Sequence, residues 1–219
     1  MKPGTHTDRQ YDEQLGKIRD KISLMGRHVL AVVSSAAQAM QERDAALARR
    51  TIAHDDTLDQ LEHEIDESCL VLLATRAPMG SDLRFVTTAM KIAVELERTG
   101  DLAVGVCERV VALDGAAALA QPVELIESAQ LVQAMLRDGL EAFVTAETAR
   151  ARAVLAREPD VDERFAQVFD EMLGLMAEYP DRIPVGAQVQ SVAKRFERMA
   201  DHANNIAKLV LEMVGEPES

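Results

Sequence analysis

The chain has no Trp, only two Tyr and five Phe, two Cys, and far fewer basic than acidic side chains. Each shortage excludes something. Aromatic residues make up 3% of the 219 positions, too few for the half-buried faces of an extensive β-sheet, which draw on aromatic and β-branched side chains. With 24 Lys and Arg against 37 Asp and Glu, the net charge of −13 argues against nucleic acid as a partner, because phosphate backbones are held by clustered positive charge. Cys69 and Cys107 are single cysteines with no C-x-x-C spacing, so they read as small core residues in a reducing compartment. No apolar run approaches the roughly 18 residues of a spanning helix. Met1 to Gln14 is polar and carries no signal-peptide core. The expectation is a cytoplasmic protein that meets a membrane only indirectly, through partners.

Motifs of catalysis are missing too. There is no Gly-rich phosphate loop, no G-x-S-x-G and no E-x-x-H of the kind that di-iron helical bundles use. His28, His54 and His63 are scattered, and only His202 sits beside a motif of interest. The chain does not read as an enzyme.

What is present is helical periodicity. Leu15, Ile18, Ile22, Met25, Val29, Val32, Ala36 and Ala39 alternate spacings of three and four, which predicts a first helix of about 26 residues, roughly 39 Å long. A second helix follows Arg43–Asp44, carries Leu58, Ile65, Cys69 and Leu72 inward, and ends before Pro78. Ser81 or Asp82 caps a third, whose seam is Val86, Ala89, Ala93, Leu96, Gly100, Ala103, Cys107 and Val110. Beyond Asp114-Gly115 and Pro122 the pattern starts again. A fourth helix carries Leu125, Val132, Leu136, Leu140 and Phe143, a fifth Val161, Phe165, Val168, Met172 and Leu175, and a sixth Val189, Val192, Phe196, Met199, Ala203, Ile206 and Val210.

The halves align on one another. Helices two and five match at an offset of 103, and helices three and six at an offset of 100. Leu96-Glu97-Arg98-x-x-Asp101 thus falls on Phe196-Glu197-Arg198-x-x-Asp201. A period of this size defines the architecture. The chain reads as all-α, a tandem repeat of two antiparallel three-helix bundles, with six long helices. The expected units are residues 8–114 and 123–214, joined by a linker at 115–122.

The carboxylates carry the chemistry. Residues four apart lie one turn apart on the same helix face, about 5–6 Å between Cβ atoms. Two carboxylates so placed repel, and a multivalent cation reverses the sign, since carboxylate oxygens suit hard metals. With 37 acidic residues in the chain, chance alone supplies roughly six such pairs, so one pair means nothing. Recurrence does mean something: Glu97/Asp101 and Glu197/Asp201 hold equivalent places, as do Asp55/Asp59 and Glu158/Asp162 on the preceding helices. Asp59 is expected to face Glu97 and Asp101, and Asp162 to face Glu197 and Asp201. The plain alternative is that Glu97 and Glu197 pair with Arg98, Arg198 or Arg84 and solvate a groove.

These residues resemble the PhoU family of bacterial phosphate-uptake regulators. The likeness runs through Asp56-Thr-Leu-Asp59-Gln-Leu61, Arg76-Ala-Pro-Met-Gly-Ser-Asp82-Leu83-Arg84, Met90-Lys91-Ile-Ala93, Leu96-Glu-Arg-Thr-Gly100-Asp101 and Phe196-Glu-Arg-Met-Ala-Asp201-His202-Ala-Asn-Asn205-Ile206-Ala207, from about Tyr11 to Met213. The resemblance implies two three-helix bundles, often in a homodimer, that restrain the phosphate-starvation response by linking the ATPase subunit of the high-affinity phosphate ABC transporter to a sensor histidine kinase. A helical scaffold, or an accessory of a different phosphate transporter without kinase signalling, is the competing expectation. The resemblance further implies metal, iron or another divalent ion (Mg, Mn or Zn), at Glu97, Asp101, Glu197 and Asp201, with Asp55, Asp59 and Asp162 as neighbours. The chain departs from the family pattern in three places, and one is that Arg76-x-Pro-x-x-x-Asp82-Leu83-Arg84 belongs to the first repeat only. The D-H-A-x-N run is intact only in the second repeat, which implies a weaker first site, and Pro159 should kink or restart the fifth helix, which puts Glu158 in doubt as a ligand.

Overall fold

The computed structural model describes residues 6–53, 56–115 and 122–216, and the described residues form eight α-helices and one short 3₁₀ turn. The first repeat holds α1 (His6–Glu42), α2 (Ala45–Ile52), α3 (Asp56–Arg76) and α4 (Ser81–Ala112). The second holds α5 (Val123–Thr145), α6 (Thr148–Leu155), α7 (Glu158–Glu178) and α8 (Ile183–Val214). The six long helices are those the periodicity predicts; α2 and α6 are additions. Both arise the same way. Arg43 and Ala146, at equivalent positions, take left-handed backbone (φ 55° each) and end α1 and α5. Asp44 then caps α2, its carboxylate accepting from the Leu47 N–H at 2.8 Å. The long second helix expected after Asp44 is two helices, because α2 stops at Ile52 and α3 begins at Asp56. Pro159 does not kink α7 but sits in its first turn, where its missing N–H costs nothing.

The first helix is longer than its apolar stripe predicts, 37 residues. The extra turns are polar and are held from the side. Tyr11 donates to Asp82 at 2.9 Å, and Arg76 donates to Gln10 and Gln14 at 2.8 and 3.1 Å. These contacts lay the end of α3 beside the start of α1, so the two run antiparallel. Further along α1 the buried residue is Val33, with Val32 only half-buried. A straight helix advances 3.6 residues per turn, and a strict heptad reading drifts behind it.

One continuous core runs through both repeats, from Ile18 on α1 to Met213 on α8. Cys69 and Cys107 lie fully inside it, and burial pushes both thiols up to about 11, so neither is a ready nucleophile. Small residues set the close approaches. A Cβ on Gly100 would stand 2.3 Å from Leu58 Cδ1 of α3, and one on Gly26 would meet both methyl groups of Leu140 on α5 within 2.8 Å. The repeats join along two lines. α1 lies on α5, and α4 lies on α8 over most of its length. The stacked rings of Phe85 and Phe143, 5.5 Å apart, add a contact from α4 to α5.

Candidate acidic grooves and the seam between repeats

α4 and α8 pass each other antiparallel, and four contacts fix the register. Arg84 donates to the Met213 carbonyl at 3.0 Å, Glu95 meets His202 and Asn205, Gly105 meets Arg195, and Arg109 meets Ser191. The repeated E-R-x-x-D segments lie near the middle of this pairing. Their buried partners Leu96, Gly100, Phe196 and Met199 face the core. Glu97 and Glu197 are half-buried, and Asp101 and Asp201 reach solvent one turn on.

In the first repeat the expected acids act on one another through their charges. Burial pushes the Glu97 carboxyl above its ordinary range, and the negative charges of Asp101, Glu62 and Asp59 push it further, against Arg98 alone. Asp55 lies outside the described residues. In the second repeat the balance differs. Burial and then Glu197 raise the Asp201 carboxyl, Lys194 opposes them, and Glu158 adds to the rise. Asp162, expected to face this pair, is exposed and is not among the charges that act on Asp201. Glu158 takes that place, because Pro159 starts the helix and leaves Glu158 ordered at its first position. Lys194 also lies against Glu197 Oε2, one turn earlier on α8, as an ion pair and not a directed hydrogen bond.

His202 and Asn205 do not join the second groove. His202 Nδ1 lies 2.7 Å from Glu95 Oε2, and Asn205 Nδ2 donates to the same oxygen at 3.0 Å. An ionised carboxylate only accepts, so Nδ1 carries the proton. Burial opposes ionisation of Glu95, but the bonds from His202 and Asn205, with the charges of His202 and Arg98, hold its carboxyl below the usual range. Asp201 of the fuller D-H-x-x-N run stays with the second groove, where His202 acts on it only through its charge, while the hydrogen bonds of His202 and Asn205 serve the seam between repeats. Arg84, a candidate partner for Glu97, is likewise taken by Met213. Tyr11–Asp82, Arg76–Gln14 and Arg84–Met213 together account for the R-x-P-x-x-x-D-L-R segment as a clasp on the ends of α1 and α8. Glu95 is the residue that reading the sequence missed. Its one signal is that the offset of 100 sets it against Arg195, a charge reversal inside an otherwise matched motif.

As coordination chemistry, the donors of the first groove are the right kind, hard carboxylate oxygens in mutual repulsion. Among the described residues, however, no three His, Cys, Asp or Glu side chains stand together as a ready set of metal ligands. Glu97, Asp101 and Asp59 share a field but do not yet converge on a point.

The fold and these grooves define a class: a duplicated, antiparallel, all-helical protein whose charged residues line grooves and an inter-repeat seam. A family model described as "PhoU domain" matches residues 22–110 and 125–210, and the chain belongs to the PhoU family. It is 36% identical over 215 residues to the phosphate-specific transport system accessory protein PhoU homolog of Caulobacter vibrioides, covering 96% of this chain and 93% of that protein. The protein of the same description from Rhizobium meliloti is 34% identical over 211 residues, covering 95% and 88%. The crystal structure of PhoU from Pseudomonas aeruginosa superimposes with a TM-score of 0.90 at 32% identity, covering 93% of this chain and 98% of that one. The phosphate transport system regulatory protein PhoU from Streptococcus pneumoniae gives 0.87 at 28% identity, covering 93% and 96%.

Proposed function

We propose that this chain is the cytoplasmic accessory regulator of a high-affinity phosphate ABC transporter. It docks on the transporter's ATPase subunit and on a sensor histidine kinase, and it restrains the phosphate-starvation response as a homodimer. It binds and does not catalyse, and it reaches the membrane through those partners; no helix among the described residues is long and apolar enough to cross one. The observation that carries this reading is the near full-length match to proteins described as phosphate-specific transport accessories. Deleting the gene should derepress phosphate-starvation genes at high phosphate, and the tagged protein should co-purify with the ATPase subunit and the kinase. Unchanged expression would sink the kinase link; co-purification with the ATPase subunit alone would favour an accessory of transport without signalling.

The first groove supports a second element of the reading, a divalent cation held by Glu97 and Asp101 with Asp59 beside them. The raised Glu97 carboxyl is what a cation would relieve. The like-charge pair costs a few tenths of a kcal/mol without metal, so Glu97→Gln should leave the metal-free protein as stable or slightly more stable. It should also abolish any rise in Tm produced by adding iron(II), Mn²⁺, Zn²⁺ or Mg²⁺. An equal rise in both proteins would count against the groove as the site.

A further inference from the structure

The duplication places the same contact twice across the α4–α8 seam, and the two copies carry opposite charge. Exchange of the repeats turns the Glu95–Asn205 contact into Arg195–Gly105. On the first side a carboxylate is met by an imidazole and an amide. On the second, Arg195 lies across Gly105 so closely that a Cβ there would stand 2.3 Å from its Nε. Glycine is thus what lets the guanidinium lie flat against α4. From that bed Arg195 Nη1 donates to Ser191 Oγ at 2.8 Å and to the Ser191 carbonyl at 3.3 Å. Arg109 Nε donates to the same hydroxyl oxygen at 3.4 Å.

Two guanidiniums therefore converge on one neutral hydroxyl, and neither has a strong counter-charge. Among the described residues Arg195 makes no ion pair, and Arg109 reaches only its chain neighbour Glu108, at 3.9 Å. Arg150, by contrast, meets Asp138, Glu141 and Glu147. Arg198 adds positive charge to the same neighbourhood. The partly buried Arg195 lies among the like charges of Arg109 and Arg198, with Glu108 the one acid that acts on it. Like charges held together at half-burial cost free energy unless an anion settles between them. Guanidinium forks match the paired oxygens of a phosphoryl group, and a hydroxyl can supply a further donor.

We propose that Arg109, Arg195 and Ser191 form a binding site for a phosphate-type oxyanion, on the second-repeat side of the α4–α8 seam. The proposal stands apart from the adaptor reading and from any metal in the grooves. Calorimetry on the full-length protein tests it, with inorganic phosphate and phenyl phosphate titrated separately into buffer held at constant ionic strength with chloride. Saturable binding of phosphate, one ion per chain, is expected, weakened about tenfold or more by Arg195→Gln and by Arg109→Gln, since bonds between charged partners are worth more than about 1.4 kcal/mol. Arg164→Gln, whose guanidinium pairs with Glu127 outside this site, should bind as the unaltered protein does. Binding of both probes would mean that a phosphoryl group on a larger molecule is accepted, and binding of phosphate alone that the free ion is the ligand. No saturable binding at millimolar phosphate, or binding unchanged in either arginine variant with native circular dichroism, overturns the proposal. Ser191→Ala gives a third readout that leaves both charges in place, with weaker binding expected.

Discussion

Glu95 shows how a single side chain takes its role from what it faces. In sequence it is one of 37 acids, next to a motif that draws attention to its neighbours. In the fold it is 14% exposed at the side chain, against 13% for His202, and it accepts two bonds from the other repeat. Hydrogen bonds to a charged group are worth about 1.5–3 kcal/mol, so Glu95→Gln should destabilise the protein by about 1–2 kcal/mol at neutral pH. The pH dependence has a definite sign. The folded carboxyl lies below the unfolded value of about 4.3, so its stabilisation is present above that value and is lost as pH falls through the folded pKa. Denaturant curves of the two proteins should therefore draw together as pH falls below the unfolded value and through the folded one. A gap that stayed constant with pH would show that the carboxylate is not what Glu95 contributes. Glu97 and Asp201 have the opposite sign: their raised carboxyls oppose folding at neutral pH, and that cost is relieved on acidification.

At the scale of elements, the two short helices are where reading periodicity fell short. Segments 45–52 and 56–76 share one apolar stripe, and hydrophobic spacing does not register a break that lasts only a few residues. The junctions in front of the short helices, α1 to α2 and α5 to α6, are set by backbone at Arg43 and Ala146, neither of which is the Gly that commonly marks a left-handed helix end. Such a residue gives up roughly 1 kcal/mol relative to Gly in the same conformation. Ala146 is exposed with φ 55° and ψ 35°, so Ala146→Gly should stabilise the protein by about that amount in chemical denaturation. A loss of stability would mean that α5 does not end as described. The acidic grooves were partly legible by the same means. The pairs within one helix follow from spacing, whereas which acid of α7 approaches Asp201 depends on where α7 begins, and Pro159 decides that in favour of Glu158.

For the whole molecule, the apolar contacts do not respect the repeat boundary. Gly26 against Leu140, Phe85 against Phe143 and the full run of α4 on α8 make one core of two sequence repeats. The halves should accordingly unfold together. The two Tyr residues, Tyr11 and Tyr179, fall one in each repeat, so Tyr11→Phe and Tyr179→Phe proteins report on opposite halves by tyrosine fluorescence. Their urea transitions should coincide, and two separated midpoints would show the repeats to be independent. Composition, periodicity and the offsets of 103 and 100 were enough to define an all-helical duplicated chain, because heptad-like spacing and internal repetition are local properties that survive in one dimension. They also identified the recurrent carboxylate pairs. Only the packed structure decided that His202 and Asn205 turn to Glu95, that Arg84 clasps α8, and that Arg195 and Arg109 meet over Ser191. Those contacts join residues from about 80 to 130 positions apart, at distances set by the crossing of α4 and α8, and no spacing along a chain encodes which faces two long helices present to each other.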